Sequence, residues 1–350
     1  MRGKLIVAAI FVQVLILGWM AGEREWIVRT APAVWLRTAP VDPRDLFRGD
    51  YVTLGYEIST IPAAKFGPGL KHLLAEQSGK DADYHHSSRR ETVLYVTLAI
   101  DPATGLASVA AADLTPPAAG VFITGRVRFY GQSPTTAITR VTYGIDAYYI
   151  QQGSGREFER RNPAGLEDGS QVPIEMRVAI GRNGTAVLTG HRWRALGIAT
   201  KIEAGSMPGA PQSGNKMIRV TLRNFSSAPQ AVVLPADLRT LHIERMAGGN
   251  GEGIYAEPPR TNLSDLTDSD VRVIPPEGSV TVDIDPALRL VKPGDAKDPV
   301  PLAGLKSDYQ SYRIVYEAPA AAACRQLREA ARITHETLPG RQFSTYELRR

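Results

Sequence analysis

The sequence predicts a mainly β protein: an N-terminal transmembrane helix, a β-rich domain, then an Ig-like β-sandwich with a short C-terminal helix. Three observations point there. Residues 5–22, "LIVAAIFVQVLILGWMAG", carry no charge at all. The 25 Pro and 32 Gly punctuate short β-branched runs, a pattern of strands and turns rather than of low complexity. Finally, 350 residues that are 43% hydrophobic suffice to bury one or two cores. The boundaries expected are 1–22 for a stub and anchor, 23–197 for the first β domain, 198–215 for a linker and 216–350 for the sandwich.

The apolar segment comes first. As a helix, residues 5–22 extend about 27 Å, enough to cross the hydrocarbon core of a bilayer. Arg2 and Lys4 precede it and "ERE" follows, so the positive-inside bias places the N-terminus in the cytoplasm and the bulk outside. In a bacterium that means a single-pass inner-membrane protein with a periplasmic or extracytoplasmic body. "GWMAGE" offers no clean small-x-small cleavage site, so the segment reads as a retained anchor.

Behind it, "WIVRTAPAVWLRTAPVDP" sets short apolar runs before Thr-Ala-Pro triplets, which reads as entering or edge strands. In "DYVTLGYEIS", Val52, Leu54, Tyr56 and Ile58 alternate with more polar residues, the period of a half-buried strand. Residues 60–90 read as a surface excursion with one helix around "LKHLLAEQ". "ETVLYVTLAI", "LASVAAADL", "GVFITGRVRFYG", "ITRVTYGIDAYYI" and "QVPIEMRVAIGRNGTAVLTGHRW" read as strands. Asp101-Pro102 and Asn183-Gly184 mark turns among them. After the Gly-, Pro- and Ser-rich 198–215 stretch, "KMIRVTLRNFSSAPQAVVLP", "RTLHIERM", "DVRVIPPEGSVTVDI" and "SYRIVYEAP" supply sandwich strands. "AAAACRQLREAARITHE" is the helix candidate near the end, and "RQFSTYEL" a last strand.

Charge and motif content exclude several classes of function. The net charge of +5 is spread among acids without a basic block, unlike a nucleic-acid footprint. Neither P-loop nor dinucleotide-binding glycine pattern is present. The six histidines show no metal-ligand spacing, so neither metal nor cofactor is expected. Cys324 is the single cysteine and forms no intrachain disulfide. Tyr143, Tyr148 and Tyr149 alternate in part and would line a ligand face or pack on a sheet.

The densest chemistry lies in "APVDPRDLFRGDYV". Asp42, Asp45 and Asp50 fall within nine positions, and a hydrolytic pair needs two acids facing one cleft. Each also has a structural role to hand: Asp42 before Pro43 starts a turn, Asp45 caps a short turn, and Arg44 and Arg48 offer partners. "LFRGDYV" resembles half of the type I signal-peptidase pattern. That pattern wants a nucleophilic Ser eight residues before Gly49, where this chain has Val41 with no hydroxyl to attack a carbonyl.

These residues resemble the signature of the bacterial GDYXXLXY family, with Gly49, Asp50, Tyr51, Leu54 and Tyr56 in the named positions. The likeness runs over about residues 20–195. It includes a Tyr-Gly-x-x-x-Tyr element at Tyr143, Gly144 and Tyr148, and a Gly-x-Gly-x-x-x-Glu run ending at Glu159. It implies a membrane-anchored envelope protein without transferable catalytic residues, expected beside a multi-pass membrane protein. The expectation is therefore a non-enzymatic binding or scaffold subunit, with Asp42, Pro43, Arg44, Asp45, Gly49, Asp50, Tyr51, Leu54 and Tyr56 as a structural corner that would form the partner contact. The alternatives are an envelope hydrolase using the acids of 42–50, or a folding adaptor that augments client strands.

Overall fold

The computed structural model describes residues 2–39, 51–78, 91–102, 104–129, 137–138, 140–149, 169–170, 172–204, 216–246, 253–255, 257, 265–292, 298–305 and 311–348. The signature acids Asp42, Asp45 and Asp50, together with Pro43, Arg44, Gly49 and Glu159, lie outside them. The chain divides into two compact units. One comprises Met1–Thr38, Thr53–Tyr148 and Glu175–Arg192, the other Ala39–Val52, Tyr149–Ile174 and Trp193–Arg350.

Helix α1 spans Arg2–Thr30, and its Lys4–Thr30 stretch is long and apolar enough to cross a membrane. It outlasts the uncharged segment by two turns, so "WIVRT" is helical and not the first entering strand. The reasons are local. Arg29 Nε donates to Glu25 Oε1 at 2.6 Å, an i,i+4 pair, and Thr30 Oγ1 donates back to the Trp26 carbonyl at 2.8 Å. Pro32 then bars continuation. Ile27 in the added turns is 5% exposed although its neighbours on the helix are open. It packs on Gly181, where an added Cβ would lie 3.0 Å from Ile27 Cδ1.

The chain continues through β1 (Ala33–Ala39), β2 (Tyr51–Thr53), β3 (Gly55–Tyr56), β4 (Ile61–Pro62), α2 (Pro68–Ser78), β5 (Thr92–Ile100), β6 (Ala107–Asp113) and β7 (Phe122–Val127). After β8 (Ala137–Ile138) and β9 (Ala147–Tyr149), β10 (Ile174–Ile180) and β11 (Ala186–Trp193) close the sheet β11-β10-β1-β3. A second sheet has the order β6-β5-β7, antiparallel throughout. Val34 and Leu36 of β1, Met176 and Val178 of β10, and Leu94 and Val96 of β5 are all buried, as period-two alternation requires. Helix α2 forms where "LKHLLAEQ" predicts it. Its N-terminus is capped from afar: Asp113, at the end of β6, accepts from Leu70 N at 2.8 Å and from Gly69 N at 3.4 Å.

Two expected strands are interrupted. "DYVTLGYEIS" breaks at Leu54 and passes into a 3-10 turn at Glu57–Ser59, although Leu54, Tyr56 and Ile58 keep the predicted buried face. "ITRVTYGIDAYYI" is divided by positive φ at Arg140 (63°) and Gly144 (72°), which turn the backbone away from extension. Asn183-Gly184 behaves as the sequence predicts: Gly184 has φ of 79° in the tight connection between β10 and β11.

The second unit contains β12 (Leu196–Ala204), β13 (Lys216–Asn224), β14 (Gln230–Val233), β15 (Leu241–Met246), β16 (Gly253–Tyr255), β17 (Val271–Ile274) and β18 (Ser279–Ile284). It ends with β19 (Leu290–Val291), β20 (Val300–Pro301), β21 (Ser311–Glu317), the single helical turn α3 (Ala321–Cys324) and β22 (Thr337–Ser344). Sheets β12-β13-β18 and β16-β15-β21-β22 share one apolar core, to which Ile198, Val220, Ile243, Tyr312, Ile314 and Leu338 contribute fully buried side chains.

The expected 198–215 linker is corrected over its first half. Residues 196–204 form β12 and pair without interruption to β13 from Leu196↔Asn224 to Ala204↔Lys216. Ile198 supplies the apolar contact that makes this stretch core. The 17-residue C-terminal helix is corrected as well, since one α-helical turn and a separate 3-10 turn at Ala330–Arg332 form in its place. Cys324, Leu327 and Ile333 instead pack on Ala231 and Val233 of β14, and Thr334 N donates to the Ala231 carbonyl at 2.9 Å. A regular helix cannot place those three side chains and that backbone bond on one strand.

Candidate functional site: a tyrosine clasp at the signature

Two segments more than 80 residues apart in sequence meet at the end of the signature. Tyr56 donates its phenol to the Ile145 carbonyl at 2.8 Å, and Tyr143 donates in return to the Ile58 carbonyl at 2.6 Å. Leu54 N completes the crossing by donating to the Asp146 carbonyl at 2.7 Å, and Val141 N donates to the Ser59 carbonyl at 3.0 Å. Leu54, Tyr56, Ile58, Tyr143 and Ile145 are all buried.

Local sequence explains the arrangement. Tyr56 and Ile58 fall on the inner side of the Leu54–Ile58 alternation, and the 3-10 turn at Glu57–Ser59 directs the Ile58 carbonyl toward the second segment. Gly144 turns that segment, allowing Tyr143 and Ile145 to present one phenol and one carbonyl. Gly125 of β7 makes room beneath. A Cβ there would lie 2.5 Å from Val141 Cγ1 and 2.9 Å from Tyr143 Cε1.

The electrostatics favour neutral phenols. Burial, reinforced by the nearby Asp146 carboxylate, raises the pKa of both Tyr56 and Tyr143 far above the ordinary tyrosine value. Asp146 is itself raised by burial, against the opposing pull of the Asp146 and Gly144 backbone amides. With both hydroxyls donated to backbone carbonyls, the clasp fastens two loops together through buried phenols.

The remaining sequence candidates separate from one another. Of Tyr51 the structure describes only the backbone, in β2. Tyr148 does not join the clasp. Its hydroxyl lies 3.2 Å from His191 Nδ1, and the two rings meet edge-on at 5.5 Å. Tyr149 is exposed. Among the described residues, no group of three or more His, Cys, Asp or Glu is arranged to hold a metal ion.

A charged row crosses the neighbouring sheet β11-β10-β1-β3. Arg192 pairs with the fully buried Glu175 at 2.7 Å, donates to the Thr104 carbonyl at 3.1 Å and stacks 4.1 Å above the Trp35 ring. Arg37 stands opposite Glu175 in the strand register and lies 3.4 Å from Glu57. Arg192, Glu175, Arg37 and Glu57 thus alternate in sign, the arrangement of a self-compensated framework.

Sequence reasoning did not single out Asp146, Gly125 or the charged row. The Gly-Ile-Asp segment gives no sign that its carbonyls face Leu54 and Tyr56, because the pairing is long-range. The signal available was the coincidence of two motif tyrosines, Tyr56 and Tyr143, each on an inward position.

A family model described as "GDYXXLXY protein" matches residues 13–190. The chain belongs to the GDYXXLXY family. The match begins inside α1 and ends in β11, so the GDYXXLXY region takes in the second half of the apolar segment, the signature and both halves of the clasp. In GDYXXLXY terms, the Leu and final Tyr of the motif are the Leu54 amide and Tyr56 phenol that grip the Ile145-Asp146 backbone. No curated protein and no solved structure matches the chain.

Proposed function

We propose that this GDYXXLXY protein is a non-enzymatic, membrane-anchored envelope protein, a binding or scaffold subunit working beside a multi-pass membrane protein. Helix α1 is its retained single-pass anchor in the bacterial inner membrane. Its N-terminus is cytoplasmic and both β units are extracytoplasmic. The second unit, read as an Ig-like sandwich, presents an outer surface.

The observation that carries this reading is the continuity of α1. Its apolar window is wholly exposed, yet the same helix runs without a break to Ile27, which is buried against Gly181 of the first unit. An exposed apolar stretch of that length belongs in lipid. A buried residue about one and a half turns beyond its end holds the β domain close to the membrane surface, where loops of a multi-pass protein are within reach. The clasp supports a positioning role for the signature, since its tyrosines fix the strand that follows residues 42–50.

The test is to isolate the full chain from crosslinked native membranes in detergent and identify what accompanies it. The expected result is a multi-pass membrane protein, lost with Arg44→Ala or Asp50→Ala variants that reach wild-type membrane levels. Recovery of the chain without any membrane protein would contradict the reading. Undiminished recovery with both variants would remove residues 42–50 from the contact.

A further inference from the structure

We propose that α1 associates inside the membrane with a second copy of itself, through the face that carries Gln13. This rests on the reading of α1 as a retained span. Residues 5–22 have their midpoint between Gln13 and Val14, so the Gln13 amide sits at the centre of the hydrocarbon layer. Apart from the Trp19 indole near one end, no other side chain from 5 to 22 carries a nitrogen or oxygen. The amide is exposed on the helix surface, where lipid offers it neither donor nor acceptor.

The surroundings of Gln13 form a packing face. Ala9, Val12, Gln13, Ile16 and Leu17 line one shallow groove along the helix. Their spacing of i, i+3, i+4, i+7 and i+8 is that of a helix–helix seam. Ala9 lies one turn from Gln13 and permits close backbone approach, while Val12, Ile16 and Leu17 supply the flanking contacts.

The amide itself indicates which occupant fits. It carries both a donor and an acceptor, so two identical amides satisfy one another. In a parallel pair related by a two-fold axis along the membrane normal, both copies place Gln13 at the same depth and on the shared face. A second copy therefore supplies the missing partner at the required place, with no further residue needed.

The experiment uses the full chain in native membranes, in a Cys324→Ala background, with single cysteines at Ile16 or Phe11. These positions are equally far from the membrane centre and lie on opposite helix faces, so oxidant access is matched. Efficient disulfide-linked dimer is expected for Ile16→Cys and little for Phe11→Cys. Adding Gln13→Leu should lower dimer yield about 3- to 30-fold, the range for a polar pair between membrane helices, and Gln13→Asn should retain most of it.

Membrane residence is read on the same samples by resistance to alkaline carbonate. Release into the carbonate supernatant would overturn the anchor and the dimer together. A carbonate-resistant chain that crosslinks equally at both positions, is indifferent to Gln13→Leu, or links through Ile16→Cys only to a different protein would overturn the dimer alone.

Discussion

Tyr56 and Tyr143 are each held by a single atom contributed from the other's segment, which makes them the most informative residues to alter. Removing one hydroxyl leaves a buried carbonyl without its donor, at a cost of about 1–3 kcal/mol. Tyr56→Phe and Tyr143→Phe should each lower the thermal midpoint of the detergent-solubilised chain. The double variant should fall short of the sum, because the first loss already loosens the shared crossing. Both folded-state pKa values lie above the ordinary 10.0, so the stability of the neutral phenols is complete below pH 10.0. It declines as the pH rises beyond that value, and alkaline unfolding curves of the Phe variants should show a shallower decline.

Glu244 in the second unit gives the complementary acid-side case. Burial alone would raise its carboxyl, but hydrogen bonds from His242 and Arg313 and their charges outweigh burial and hold it below the ordinary carboxylate value. Arg313 lies 2.7 Å away, and His242 stands between Glu244 at 3.2 Å and Glu317 at 3.4 Å. A depressed folded pKa means that this stabilisation is present above the ordinary carboxylate range and is lost as pH falls through the lowered value. Glu244→Gln should therefore destabilise at neutral pH and flatten the acid limb of a pH–stability curve measured by chemical denaturation.

The behaviour of the elements follows from local chemistry where that chemistry is near in sequence. Asn183-Gly184 is legible because only a tight turn needs φ of 79° there, and the "LKHLLAEQ" helix because its apolar spacing is helical. What stayed hidden depended on distant contacts. The cap on α2 comes from Asp113, some 43 residues from the amide it serves. Strand β12 reads as a linker because it leads directly into a Gly- and Pro-rich run. Its core partner β13 lies beyond that run. The C-terminal Ala-rich segment has helix propensity, but Leu327 and Ile333 gain more by packing on β14.

Two substitutions test the elements. Ile27→Ala should cost about 2–5 kcal/mol of local stability and speed proteolytic cutting between α1 and β1, while leaving the β units intact. Gly184→Ala should destabilise the β10–β11 hairpin. Its Cβ would fall 2.3 Å from Thr124 Oγ1, at a φ that L-residues rarely adopt. Thermal unfolding of Gly184→Ala beside Asn183→Ala separates that steric demand from the loss of the 3.1 Å bond from Thr185 N to Asn183 Oδ1.

For the whole molecule, the β class and the N-terminal apolar helix were legible because composition and an uncharged run report them directly. The signature was legible as a family mark through five residues, Gly49, Asp50, Tyr51, Leu54 and Tyr56. Its physical role was not, because Tyr56 acts on Ile145, and no local pattern links the two. The central claim is that α1 is kept and holds both β units outside the membrane. The most direct measurement labels single cysteines in intact spheroplasts with a membrane-impermeant maleimide, in a Cys324→Ala background, alongside the intact mass of the membrane-bound chain. Leu288, which is 77% exposed, is the outer reporter, and Gly3 the inner one. Labelling of Leu288→Cys is expected in intact spheroplasts, with labelling of Gly3→Cys only after permeabilisation and a mass that retains residues 1–22. A mass lacking those residues, or a protected Leu288→Cys, would contradict the central claim.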